Sequence, residues 1–239
     1  MKTWSEVITF VILTISTFAF DSHQNPAHVT RFRKIPAEDV VFDGAVKDYI
    51  SGSRTRCAMS CIPRTQCLSY SFQKSSGRCL VFNRRVIYGI QMTSATGFQH
   101  YWRVTDHCPT TQGFFILEGS CVKVYETQVT WQDAESTCET QGAHLFAGQT
   151  EREMYTAESV VNSRGSASRN YRFGAWDHDK NGTWFWVTGA KVTSSTWQSG
   201  APNGSRSKIC AETVTYSAKQ ITANKCSNLN PFVCHVILG

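Results

Sequence analysis

The stretch Trp197-Gln198-Ser199-Gly200-Ala201-Pro202-Asn203, followed by cysteines at 210, 226 and 234, decides how this chain is read. Ala201 has no side-chain oxygen, whereas Asn203 keeps an amide. Upstream lie two apolar, aromatic-rich stretches, Gly182-Thr183-Trp184-Phe185-Trp186-Val187-Thr188-Gly189 and Tyr171-Arg172-Phe173-Gly174-Ala175-Trp176. Before them, Thr130-Trp131-Gln132-Asp133 and Thr150-Glu151-Arg152-Glu153 each place a hydroxyl three residues ahead of an acid, the signature of a helix N-terminus. The first helix presents Trp131, Ala134 and Cys138 on one face and ends at Gly142, and the second presents Met154, Ala157 and Val161. Phe114-Phe115-Ile116 and Glu118-Gly119-Ser120 read as a hairpin with a polar turn.

The remainder of the chain frames this core. Lys2 precedes a 14-residue apolar run, Val7 to Phe20, with Thr17 and Ala19 as small residues before a cut, so residues 1–20 are expected to be a secretory signal. The run is short of the roughly 20 residues that a membrane crossing needs, and no later segment approaches that length, so a soluble, extracellular product is expected. Ten cysteines agree with an oxidising compartment. The tight group Cys57, Cys61 and Cys67 has no histidine near in sequence, which favours disulfides over zinc. Residues 21–106 carry 12 Lys and Arg against 6 Asp and Glu, and residues 107–239 carry 11 of each. The excess positive charge therefore sits in the first half, which suggests sulfated or acidic polymers as partners there.

That first half has its own cysteine cluster, Cys57-Ala-Met-Ser-Cys61-Ile-Pro-Arg-Thr-Gln-Cys67, closing at Cys79. Cys57 and Cys61 are one helical turn apart, and Ala58 to Ile62 reads as a short helix stopped by Pro63. Leu68, Tyr70 and Phe72 alternate with serines as in a half-buried strand, and Cys79 with Val81 and the run Val86-Ile87-Tyr88 offer two more. This pattern is similar to PAN/apple modules, which implies bridges Cys57–Cys79 and Cys61–Cys67 over residues 38–104, with 21–37 as a linker. Such modules bind proteins or carbohydrates. Arg54, Arg56, Arg64, Lys74, Arg78, Arg84 and Arg85 are the candidates for a polyanion surface.

From Cys108 onward the chain resembles C-type lectin domains in their long form, over residues 107–237. The resemblance implies an α+β fold, two helices on small antiparallel sheets, stapled by Cys108–Cys121, Cys138–Cys234 and Cys210–Cys226. In sugar-binding members a calcium ion is held by side chains on either side of the loop proline, by one two residues before the next cysteine, and by a pair four and three residues before the following one. Here those positions are Ala201, Asn203, Lys208, Thr222 and Ala223. Calcium needs six to eight oxygens, and Lys208 puts a cation in the shell. The expectation is therefore a secreted recognition protein with no cofactor, binding a glycan or an extracellular protein around Ala201, Pro202, Asn203 and Lys208 without the principal calcium ion. Asn224 enters the shell only if its loop is re-registered.

Two alternatives stand beside this reading: a calcium-dependent carbohydrate-binding lectin of innate recognition, and a structural matrix protein that binds polyanions through the basic first half. A second metal pattern, Asp177-His178-Asp179-Lys180-Asn181-Gly182, matches the first half of an EF-hand loop but has Thr188 where the closing glutamate belongs. Asn181-Gly182-Thr183 and Asn203-Gly204-Ser205 are N-glycosylation sequons. None of the seven histidines sits in a nucleophile or metal motif, and His144, beside a helix end, is expected to be packed, so no enzyme activity, nucleic-acid binding or transmembrane segment is expected.

Overall fold

In Thr30–Phe42 (β2) the buried residues are Phe32, Ile35, Ala37, Val40 and Phe42, a spacing that alternates between three and two. The step from Phe32 to Ile35 lies in regular pairing, whereas the step from Ala37 to Val40 falls where the pairing shifts register, at Ile35/Glu38 and Glu38/Val40, and Asp39 takes a positive φ of 55°. The computed structural model describes residues 30–64, 66–166, 168–215 and 217–238, and the backbone of Val7–Phe10 (β1), which pairs antiparallel with β2. The rest of the expected signal, residues 1–6 and 11–20, lies outside the described residues, as do residues 21–29. The expected linker is shorter than 21–37, because residues 30–37 already belong to β2 and supply core side chains.

The first unit adds Lys47–Ile50 (β3), Arg54–Cys61 (α1), Ser69–Gln73 (β4), Arg78–Phe82 (β5) and Met92–Val104 (β6), forming a six-stranded sheet of order β1-β2-β6-β4-β5-β3. The helix begins four residues before the expected Ala58, because Ser53 accepts a hydrogen bond from the Arg56 amide at 3.2 Å and caps it. Arg103, reaching across from β6, donates to the carbonyls of Ile62, Arg64 and Cys67 beyond the helix end. Strand β4 was expected to be half-buried and is buried on both faces, because it lies between β5 and β6 under α1. Its serines are accommodated by hydrogen bonds. Ser69 donates to the Arg84 carbonyl at 2.6 Å, and Ser71 lies 2.6 Å from His100 Nδ1.

His100 is fully enclosed, and its Nε2–H donates to the Val40 carbonyl at 3.0 Å. Burial pushes its pKa down to about 4. A depressed histidine pKa stabilises the fold above its ordinary value of about 6.5, and this contribution is lost as pH falls from there through 4. His235, also buried and near 4, acts in the same direction, whereas Glu135, pushed up to about 8 by burial, favours the folded state as pH falls below 8. The share belonging to His100 is therefore read by difference. Between pH 7 and pH 4, wild type is expected to lose about 3 kcal/mol more stability to urea than His100→Gln. Parallel pH profiles for the two proteins would refute this.

The second unit is built from Phe115–Leu117 (β7), Ser120–Val129 (β8), Trp131–Thr140 (α2), His144–Leu145 (β9), Glu151–Arg164 (α3), Arg172–Trp176 (β10), Phe185–Trp186 (β11), Cys210–Val214 (β12), Ser217–Asn224 (β13) and Asn230–Val236 (β14). Its sheet runs β13-β12-β10-β14-β8-β7, with β11 on β10 and β9 on β14, and only the β10–β14 pairing is parallel. Thr130 accepts from the Asp133 amide, and Thr150 and Glu153 form a reciprocal capping box on α3. Trp131, Trp176, Trp184 and Trp186 lie in the core with Phe146 and Phe173. His144 is buried there too.

Val86-Ile87-Tyr88 is not the expected strand. It joins the two units: Val86 belongs to the first core and Ile87 to the second, while the Tyr88 amide donates to the Val187 carbonyl at 3.0 Å. Next to it Gly89 has φ +91°, and a Cβ there would stand 2.5 Å from the Trp176 ring. Trp176 Nε1 donates to the Tyr88 carbonyl at 2.9 Å. Ala37 on β2 donates to the Thr188 carbonyl, and Trp102 packs against His144 at 5.1 Å. The chain also returns at its end, with Ile237 buried in the first core.

Candidate functional site

Trp197 anchors the loop that runs to Asn203. It forms a parallel bridge with Ile221 on β13, its ring meets Trp184 edge-on at 4.7 Å, and the Gln198 amide donates to the Ile221 carbonyl at 3.0 Å. A turn then closes from the Ala201 amide to the Gln198 carbonyl, and the Ala201–Pro202 peptide is cis. Beyond Pro202 the exposed Asn203 accepts from the Ser205 amide through Oδ1 at 3.4 Å, and the Lys208 amide donates to the Ser205 carbonyl.

Folding brings this loop against a second one. Asp177 follows directly on β10, and its carboxylate is buried, accepting from the amides of Asn181 at 3.1 Å and Gly182 at 2.8 Å. The facing loops enclose a cleft of about 300 Å³ with Trp184 and Pro202 as its apolar parts and Lys180, Arg206 and Lys208 among its lining side chains. No ion pair or side-chain hydrogen bond engages those three cations among the described residues. Asp177, the one carboxylate in the lining, is already occupied by two backbone N–H groups. The cleft therefore presents unneutralised positive charge toward solvent.

These residues do not fit a calcium ion. The five positions of the shell supply Asn203 with an amide oxygen, Thr222 with a hydroxyl, Ala201 and Ala223 with nothing, and Lys208 with an ammonium. Asn224 does not shift into the shell. Its Nδ2 donates to Glu212 Oε1 at 2.8 Å, and its Oδ1 accepts from the Lys225 amide and from Asn228 Nδ2. The EF-hand pattern is also turned to other uses: Asp177 organises its own turn, Asp179 faces His178 Nε2 at 3.0 Å, and Asn181 Oδ1 accepts from the Thr183 amide. Among the described residues no three of His, Cys, Asp and Glu converge on a common point.

Behind the cleft, five disulfides join Cys57–Cys79, Cys61–Cys67, Cys108–Cys121, Cys138–Cys234 and Cys210–Cys226. Residues 127–236 match the family model described as Lectin C-type domain. The C-terminal unit is similar to C-type lectin domains. Over 138 residues the chain is 32% identical to C-type lectin domain family 4 member M of Nomascus concolor, covering 55% of this chain and 32% of that relative. The chain thus spans about a third of the length of that relative. C-type lectin LmsL of Lachesis stenophrys is 25% identical over 133 residues, covering 54% of this chain and 97% of its own. Among solved structures, the C-type lectin CEL-I of Cucumaria echinata superposes with a TM-score of 0.50 at 17% identity, covering 56% of this chain and 99% of CEL-I, a likeness of fold.

Of the loop candidates, Pro202 and Lys208 line the cleft together with Lys180 and Arg206, which had not been expected there, whereas Ala201 and Asn203 are not part of its lining. Lys180 and Arg206 lie on separate loops, and no spacing rule links them. The basic residues of the first unit fare differently. Arg85 is no surface group: the residue is only 5% exposed, and its guanidinium donates to the carbonyls of Gly142 in the second unit and, at 3.2 Å, Arg103 in the first. Burial lowers its pKa to about 10, against the pull of Glu135 and Glu139. Arg78 holds Asp48 with two bonds of 2.9 and 2.7 Å, and Arg84 is tied to the Asp43 carbonyl and Gln91. Arg54 lies against Tyr101. Arg56, Arg64 and Lys74 remain exposed.

Proposed function

We propose that this is a secreted recognition protein whose lectin domain binds anionic glycans, sulfated or carboxylated, at the two-loop cleft without the principal calcium ion. The observation that carries the reading is the set Lys180, Arg206 and Lys208, three cations without partners around one concave surface that has Trp184 and Pro202 for the apolar face of a sugar. Guanidinium and ammonium groups recognise sulfate and carboxylate through charge-assisted hydrogen bonds, so the ligand's charge takes the place of metal coordination. Export is supported by ten cysteines in five disulfides and by the apolar N-terminal run. No helix among the described residues is long and apolar enough to cross a membrane. The first unit, with a helix across an antiparallel sheet and the Cys57–Cys79 and Cys61–Cys67 pairs, is read as a PAN/apple-like module packed against the lectin domain.

A glycan array probed with the secreted protein in calcium and in chelator tests this reading. Binding is expected to concentrate on sulfated and carboxylated glycans and to stay within about twofold between the two buffers, since no metal is displaced. Lys208→Glu is expected to weaken it about 10- to 100-fold, because a hydrogen bond to a charged group is worth about 1.5–3 kcal/mol. Chelator-sensitive binding of neutral sugars would overturn the proposal in favour of the calcium-dependent alternative. Selective capture of an acidic protein with no glycan signal would move the ligand class to protein.

A further inference from the structure

The chain contains two N-glycosylation sequons, and the fold brings both to the mouth of the same cleft. Asn181-Gly182-Thr183 leaves the turn organised by Asp177, and Asn203-Gly204-Ser205 follows the cis proline on the opposite loop. Twenty-two positions apart in sequence, they share one local geometry. Each asparagine is exposed, each accepts through Oδ1 from the amide two residues on, and each is followed by a glycine at positive φ, 88° and 68°. With Oδ1 engaged in this way, Nδ2, the atom that carries an N-glycan, points to no protein partner in either residue. A Cβ built on Gly182 or Gly204, the residue after each asparagine, would meet nothing within 4 Å.

We infer that Asn181 and Asn203 are both N-glycosylated and that the two glycans flank the cationic cleft as a pair, shielding Lys180 and Lys208 and restricting entry to slender, strongly anionic ligands. The inference rests on the secretory reading above. The donor is a lipid diphosphate-linked oligosaccharide of the secretory pathway. Nδ2 attacks the sugar C1, the Nδ2–C1 bond forms, the C1–O bond to the diphosphate breaks, the lipid diphosphate leaves with the electron pair, and the amide gives up one proton. Each product is a large hydrophilic group on a loop tip, and its reducing-end sugar sits beside the lysines of the lining.

The test uses the full chain secreted from eukaryotic cells. Peptide mapping after N-glycanase in heavy-oxygen water marks each occupied asparagine as a labelled aspartate, and both are expected to be marked. Bulky amine-reactive labelling of Lys180 and Lys208, followed by mass spectrometry, is expected to run about fivefold faster after N-glycanase and in the Thr183→Val, Ser205→Ala double variant, with labelling of Lys74 unchanged. An unmarked Asn181 or Asn203 overturns the inference, and so does equal labelling before and after trimming. Neither readout needs a ligand, so a protein that binds no glycan on the array sinks the proposed function and leaves this result standing.

Discussion

Glu212→Ala is expected to cost the fold about 3–5 kcal/mol, the usual effect of removing one partner of a buried ion pair. Arg172 is completely enclosed and Glu212 nearly so, with Nη1 and Oε2 3.3 Å apart. The carboxylate is the acceptor at the centre of a polar cluster: Oε1 takes Asn170 Nδ2 at 2.9 Å and Asn224 Nδ2 at 2.8 Å, and Oε2 takes Asn230 Nδ2 at 2.5 Å. Arg172 in turn donates through Nη2 to the Lys225 and Asn228 carbonyls, both at 2.8 Å, and so holds the turn around Cys226. Burial lowers the Arg172 pKa and the charge of Glu212 opposes that shift. With the glutamate gone, a buried cation and three amides lose their acceptor together. Urea unfolding at pH 7 reads the loss, and a cost below about 1 kcal/mol would reject this account. The double variant Arg172→Met, Glu212→Leu is expected to recover only the part owed to the buried cation, since the three asparagine amides and the Lys225 and Asn228 carbonyls stay without their partners.

Replacing both Cys138 and Cys234 with alanine is expected to lower stability by about 4.7 kcal/mol, the chain entropy released when a loop of about 100 residues is freed. The two half-cystines are 96 positions apart, and the bridge ties α2 to β14 at the centre of the second core. Cys57–Cys79 closes 22 positions and by the same relation is worth about 3.4 kcal/mol. The ordering of the two double-alanine variants in urea is the sharper measurement. If removal of Cys57–Cys79 is the more damaging, loop closure does not govern these bridges.

The parts of the fold that could be read in advance are those governed by short-range chemistry. The helix starts at Thr130 and Thr150 were legible because capping pairs residues only three apart. The turn at Glu118-Gly119 was legible because a polar, glycine-containing pair sits between two apolar runs, and Gly119 there takes a positive φ of 82°. The start of α1 was missed because its cap, Ser53, precedes a stretch of arginine and threonine with no apolar period. Val86-Ile87-Tyr88 has the composition of a strand, yet its side chains are shared between two cores, a division no local pattern records. Arg85 read as surface charge for the same reason, since residues of the other unit bury it.

At the cleft the division runs between what a residue is and what it faces. The sequence by itself determined that Ala201, Lys208 and Ala223 bring no side-chain oxygen to three of the five positions, whatever the backbone does, and that the last three cysteines follow a loop resembling that of C-type lectins. Only the tertiary structure decided that Lys180 and Arg206 join Lys208 around one concave surface, that Asp177 is occupied by its own turn, and that Asn224 is committed to Glu212. Ligand chemistry is a property of atoms and can be counted along a chain. Electrostatic character is a property of distances between loops, and those are set by the Trp197–Ile221 bridge, the Trp184–Trp197 contact and the β10–β12 pairing that bring residues 177–184 against residues 202–208.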